Sequence, residues 1–193
     1  MESFYSVQGE GAYSGTPAYF IRLGGCDVGC VWCDVKDSWD ADKHPHLSVE
    51  QIVADVKNTK AQIVVVTGGE PAMYNLNALC DALHANHYAV HIETSGCYTL
   101  QGEFDWITFS PKKFKAPIQE VMEKAHELKI IVFNQSDFKW AEEFKAKVPS
   151  GCALYLQPEW SKKDQMQELI FNYVLKHPEW KISLQTHKYL GVD

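Results

Sequence analysis

The stretch AYFIRLGGCDVGCVWCD (residues 18–34) decides the architecture, because an apolar strand runs straight into a loop carrying three sulfur ligands. Residues 18–23 have the aromatic and aliphatic content of a strand. Glycines 24, 25 and 29 then let the backbone turn tightly, and Cys26, Cys30 and Cys33 follow at CxxxCxxC spacing. A closed zinc site needs a fourth ligand, which His44 or His46 of KHPH could supply. Zinc ligands more often come as two separated pairs, and the chain holds no second CxxC. A lone three-cysteine loop fits a [4Fe–4S] cluster with one iron left open, and Trp32 is placed to shield one face of it. An open iron calls for a small chelator. S-adenosylmethionine is one, with an amino group and a carboxylate on a single carbon.

Outward from this loop, strand and helix patterns alternate. In LSVEQIVADVKN, Val49, Ile52, Val53 and Val56 share one helical face, and Ser48 with Gln51 forms a capping box. Residues 63–66 (IVVV) read as a strand buried on both faces. Asn75 caps a helix bearing Leu76, Leu79, Cys80 and Leu83, and strands follow at 89–92 and 106–109. A helix through Ile118, Val121, Met122 and Ala125 leads to a strand at 130–133. Asp137 opens a further helix (Trp140, Ala141, Phe144), followed by a strand near 153–156. The last helix carries Met166, Leu169, Ile170, Tyr173 and Val174, and a strand at 181–184 closes the series. Such alternation predicts an α/β fold with a mostly parallel sheet, organised as a single domain over residues 1–193. Ligands of such sheets collect at the carboxyl ends of the strands. The polar or glycine-rich segments GGCDVGCVWC, TGGEP, ETSGC, SPKK, QPE and QTHK all fall there.

A formal charge of −7 argues against a nucleic-acid partner, although the basic PKKFK segment could hold a small anion. No apolar run approaches the roughly 18 residues of a membrane span. The opening MESFYSVQGEG has neither the basic start nor the apolar segment of a secretory signal, so the expected location is the cytoplasm. The scattered Cys80, Cys97 and Cys152 read as packed thiols.

Taken in order, FYSVQGEGAYSGTPAYFIRLGGCDVGCVWCD, VVVTGGEP, IETSG, SPK, LQPE and QTHKYLGVD resemble the 7-carboxy-7-deazaguanine synthases of the radical S-adenosylmethionine superfamily along nearly the whole chain. The resemblance implies a modified partial (β/α) barrel of the radical SAM type, assembled as a homodimer. It also implies a lyase reaction that contracts the ring of 6-carboxy-5,6,7,8-tetrahydropterin to 7-carboxy-7-deazaguanine with loss of ammonia, in queuosine and other deazapurine biosynthesis. The adenosyl radical would take a hydrogen atom from C6 of the pterin, and hydrogen would return from 5′-deoxyadenosine. Flavodoxin or ferredoxin would supply the electron.

The resemblance implies that Cys26, Cys30 and Cys33 hold the cluster. It places Trp32, Cys33, Asp34, Gly69, Glu70, Ser110, Pro111, Lys112, Leu156, Gln157, Pro158 and Glu159 around S-adenosylmethionine. Glu93 and Ser95 join them because ETSG ends a strand on the same rim. For the substrate it implies Val7, Gln8, Gly9, Glu10 and Thr67, with His187 and the terminal carboxylate of Asp193 in a tail that closes over the pocket. Arg22 suits the pterin carboxylate, since a guanidinium can grip one at two points. Two positions depart from the family: Cys97, where a hydroxyl residue is common, reads as a packed thiol, and the second bears on metal binding. Val35 stands where a threonine hydroxyl binds Mg²⁺, and a hydrocarbon cannot replace that oxygen. Substrate oxygens, Asp34 and water could hold the ion, or another group, or none is needed, so the expected magnesium dependence is weak or altered. Two alternatives share parts of the pattern: a radical activase of a glycyl-radical protein, and a non-enzymatic zinc-stabilised interaction module.

Overall fold

The computed structural model describes residues 1–192, so Asp193 and the expected role of its carboxylate lie outside the described residues. Eight strands form one sheet in chain order: β1 (Glu2–Val7), β2 (Pro17–Leu23), β3 (Ile63–Gly68), β4 (Ala89–Thr94), β5 (Trp106–Phe109), β6 (Glu127–Val132), β7 (Ala153–Pro158) and β8 (Trp180–Ile182). Only β1 runs antiparallel to its neighbour; every other pair is parallel. The helices are α1 (Val49–Lys57), α2 (Asn77–His84), α3 (Gln119–Lys124), α4 (Asp137–Lys145), α5 (Lys163–Lys176) and α6 (Thr186–Leu190). This is the α/β, mostly parallel architecture that the sequence predicts.

The capping box of α1 forms as read: the Gln51 amide donates to Ser48 Oγ at 3.3 Å, and the Ser48 amide donates to Gln51 Oε1 at 2.9 Å. Four local expectations change. Asn75 accepts from the Asn77 amide at 3.0 Å, so it makes a turn just ahead of α2, whose cap position is Leu76. Strand β1 precedes the first predicted strand. Strand β6 starts at Glu127 and not at residue 130, because two charged side chains belong to it. The tail after β8 folds as a further helix, α6.

Period-two alternation sorts the strand residues into two populations. Val64, Val66, Val90, Ile92, Leu128, Ile130, Leu154 and Leu156 pack beneath the helices in two large apolar clusters. The opposite face carries Phe20 and Val65 on strands β2 and β3, and polar groups elsewhere: Arg22, Thr67, His91, Glu93, Glu127, Lys129 and Gln157. Strands β1 and β8 lie at opposite edges of the sheet, yet the segments after them meet. The Thr186 amide and hydroxyl both donate to the Gly9 carbonyl, at 2.9 and 2.6 Å, and the Gly11 amide donates to Ser183 Oγ at 2.9 Å. The sheet therefore curls into a partial barrel closed by loop contacts and not by a ladder. The β1–β2 loop also reaches across to β6, where the Ala12 amide donates to Glu127 at 2.9 Å. Tyr13 wedges against His91 and Trp106, with ring centroids 4.5 and 5.0 Å away.

Candidate active site

The loop after β2 is fixed from three sides. The Gly25 amide donates to the Ser38 carbonyl at 2.6 Å, Tyr74 donates its hydroxyl to the Gly24 carbonyl at 2.6 Å, and the Glu70 amide donates to the Gly25 carbonyl at 2.9 Å. Gly25 has φ +98°, which disfavours any side chain there. Gly69 is required by close approach: a methyl group on it would stand 2.7 Å from the Gly25 carbonyl carbon. The TGGEP turn thus passes directly against the cysteine loop.

Glu70 is almost completely buried, and its carboxylate ties that turn to the end of β4. One oxygen accepts from the Ala72 amide (3.0 Å) and the Thr94 hydroxyl (2.6 Å), while the other accepts from the Ser95 amide (2.8 Å) and the Ser95 hydroxyl. Four donors fill the acceptor sites of a carboxylate. Glu70 thereby buttresses the TGGEP turn against the end of β4. Glu70→Gln is expected to destabilise the fold by about 1–3 kcal/mol, because the new amide group turns donors toward donors. The midpoint of urea unfolding checks this.

Cys26, Cys30 and Cys33 come together with Val28 and Cys97 in one apolar cluster. Burial raises the thiol pKa of Cys26 and pushes Cys30 up to about 11, so these sulfurs become thiolates only when a cation holds them. The three sulfurs do not all lie within 4.8 Å of one another; among the described residues only Glu142, His177 and Glu179 bring ligand atoms so close, and Lys145 already pairs with both glutamates. A single zinc ion would draw three thiolates to about 4 Å separations. His44 hydrogen-bonds the Asp37 carbonyl at 2.7 Å, and His46 is exposed. Three thiols on one loop suit three corners of an iron–sulfur cube, and His44, the candidate fourth zinc ligand, is engaged with the Asp37 carbonyl. Cys97 is a buried thiol between Ser95 and the Lys115 carbonyl.

A cavity of about 270 Å³ opens beneath this loop. Its wall includes all three cysteines together with Trp32, Asp34, Gly69, Glu70, Glu93, Ser95, Ser110, Lys112, Gln157, Pro158 and Glu159 from the expected cofactor set. Trp32 sits edge-on to Phe114, with centroids 6.1 Å apart. Lys112 donates to the Ser110 carbonyl and hydroxyl, both at 2.6 Å, and enclosure lowers its pKa. Two expected residues do not reach the wall. Leu156 points the other way along β7, into the core under the helices, and Pro111 is buried beside the rim.

From the expected substrate set, Val7, Gln8, Gly9, Glu10, Arg22, Thr67 and His187 all line the same cavity. Arg22 Nη1 pairs with Glu2 at 2.5 Å, and the guanidinium lies over the Phe4 ring at 5.2 Å. Lys129, absent from the sequence reading, pairs with Glu10 and, at 3.4 Å, with Glu93. Burial alone would raise the Glu10 carboxyl, but the Lys129 charge and hydrogen bond, with that of Gln185, hold it down at about 2. Val35 also lines the wall; its carbonyl already accepts from the Ser38 amide (3.0 Å) and hydroxyl (2.6 Å), and Asp34 pairs with Lys188 at 2.7 Å. Val35 brings no side-chain oxygen to this corner.

The Radical SAM superfamily model matches residues 20–134. A 7-carboxy-7-deazaguanine synthase of Flavobacterium psychrophilum is 53% identical over 192 residues, covering 100% of this chain and 91% of the relative. The chain belongs to the 7-carboxy-7-deazaguanine synthase family. A synthase of the same name from Synechocystis sp. is 50% identical, covering 99% of this chain and 91% of its own length. The crystal structure of QueE from Escherichia coli, at 33% identity, superposes with a TM-score of 0.87 over 96% of this chain and 92% of that one. The three cysteines fall within the residues that the Radical SAM model matches, and their loop opens onto the polar lumen.

Proposed function

We propose that this cavity converts 6-carboxy-5,6,7,8-tetrahydropterin to 7-carboxy-7-deazaguanine with release of ammonia. The observation that carries the reading is that the cysteine loop and a buried, charge-lined lumen share one cavity. Neither alternative finds support: an activase needs an open rim for a macromolecule, and the zinc module lacks its fourth ligand. When bound, the cluster and S-adenosylmethionine supply the one-electron chemistry that removes a hydrogen atom from the substrate. Cys26, Cys30 and Cys33 would hold the cluster. The Gly69 backbone, Ser95, Lys112, Gln157 and Glu159 would hold S-adenosylmethionine.

The remaining work is positioning. Arg22 receives the substrate carboxylate, while Gln8, Glu10 and Glu93 meet the pyrimidinone edge and Thr67 and His187 bound the ring. Phe4 and Phe20 line the same wall and keep water from it. No side chain is assigned as a nucleophile. Val35 gives a magnesium ion no side-chain ligand.

A homodimer is supported by the exposed apolar side chains of Phe171, Leu175, Ile182 and Leu184 near the open edge of β8. The electron donor is proposed as a flavodoxin or ferredoxin, and the six free cysteines fit a reducing compartment such as the cytoplasm. Among the described residues, no helix is long and apolar enough to cross a membrane. The test is anaerobic reconstitution followed by incubation with S-adenosylmethionine, a reductant and the carboxylated tetrahydropterin. Mass spectrometry should find the deazaguanine, with ammonia released in equal amount. Cofactor cleavage without that product would overturn the assignment.

A further inference from the structure

Lys129 is 3% exposed in the middle of β6, deep in the barrel lumen. Buried ion pairs are seldom the most stabilising choice, since apolar residues of similar volume pack as well or better. A lysine kept at such a place calls for a use beyond packing.

Its surroundings show what that use is. Lys129 Nζ contacts one oxygen of Glu10, from the β1–β2 loop, and one oxygen of Glu93, from the end of β4. The second oxygen of each carboxylate is held by an amide: Gln185 Nε2 donates to Glu10 at 2.9 Å, and Gln8 Nε2 donates to Glu93 at 2.9 Å. Both carboxylates are thereby fixed in orientation, and both line the cavity with acceptor sites to spare. Glu127, two residues earlier on the same face of β6, adds a further buried carboxyl whose pKa burial raises. Tyr155, paired in register with Lys129 on β7, is buried, and that burial and Glu127 raise its pKa. Lys112, beyond β5, and His187, on α6, are further titratable groups of this lumen, both lowered by burial.

We infer that Lys129 is a positioning residue for substrate recognition, holding Glu10 and Glu93 aligned as paired acceptors for adjacent N–H donors of a 2-amino-pyrimidinone edge. This deepens the function proposed above and rests on it. Without the ammonium, two carboxylates and a third nearby would share a desolvated lumen. Like charges so placed do not all stay ionised. A protonated carboxyl would then present a donor to the donors of the substrate.

The test compares the reconstituted wild-type enzyme with Lys129→Met and Lys129→Arg. The Michaelis constant for the carboxylated tetrahydropterin is measured from pH 5.5 to 8.5, alongside iron content and S-adenosylmethionine binding. Glu10 is ionised throughout this range in the wild type, so it contributes no pH dependence there. In Lys129→Met the carboxyl pKa climbs, so the Michaelis constant should rise at least about 30-fold. It should be worst at acid pH and recover as pH rises through the new pKa. Iron content and cofactor binding should hold, and Lys129→Arg should restore most of the affinity.

Lys129→Met paired with Glu10→Gln separates positioning from stability. Removing both charges should recover the melting temperature and leave the Michaelis constant high. Recovery of the Michaelis constant in that pair, or a flat pH profile in Lys129→Met with unchanged affinity, would overturn the inference. Failure of the wild type to turn over this substrate would instead count against the function itself.

Discussion

Cys30→Ala is expected to eliminate turnover and cofactor cleavage together, with iron and sulfide content falling toward zero after anaerobic reconstitution. The loop offers three sulfurs, and His44, which lies against Gly24, is already engaged with the Asp37 carbonyl. Removing a partner outside the ligand shell of a metal site costs about 10–100-fold in affinity or activity, and loss of a ligand itself goes further. The same substitution at Cys80 is the control. That thiol, carried on α2, is fully buried with its pKa pushed up to about 12, and the protein should keep full iron content when it is replaced by alanine. Iron in Cys30→Ala at the wild-type level, with cofactor still cleaved, would show that the loop is not the cluster site.

The cysteine loop was readable because its ligands are contiguous. Three sulfurs within eight residues, on a glycine-rich turn after a strand, are a local pattern that needs no knowledge of the rest of the chain. The same holds for the Ser48–Gln51 cap and for the fully apolar β3. Lys129 was hidden for the opposite reason. It sits in an apolar run, where a lone charge reads as a strand boundary, and its partner Glu10 is 119 residues away. Only the barrel brings them together. Strand β1 was missed on similar grounds: its burial is partial throughout, so no alternation of apolar and polar residues marks it. Leu156 shows how a segment-level resemblance overreaches. Neighbouring strand residues face opposite sides, so a run that borders a cofactor contributes alternate side chains to it, and Gln157 takes the lumen while Leu156 takes the core.

Arg22→Ala is expected to raise the Michaelis constant for the carboxylated pterin by roughly 30-fold or more, with a smaller effect on the maximal rate. Truncating one partner of a hydrogen-bonded charge pair in an enclosed site costs about 2–5 kcal/mol. The guanidinium is 26% exposed, so water screens part of that, and the lower end applies. Arg22→Lys should recover only part of the loss, because an ammonium cannot reproduce the planar two-point grip. The structure adds a sharper check through Glu2. That carboxylate holds Arg22 Nη1 at 2.5 Å while the guanidinium lies over Phe4, so substrate must compete with it for the guanidinium. Glu2→Gln removes the competing charge and should lower the Michaelis constant slightly, leaving the maximal rate alone. An unchanged Michaelis constant in Arg22→Ala, with Glu2→Gln also silent, would place the substrate carboxylate elsewhere in the cavity. The remaining cations of that wall, Lys112 and Lys129, already have acceptors at Ser110 and at the two glutamates. Arg22, half-turned toward an exposed glutamate, can change partner at the lowest cost, and that is why the carboxylate is expected to choose it.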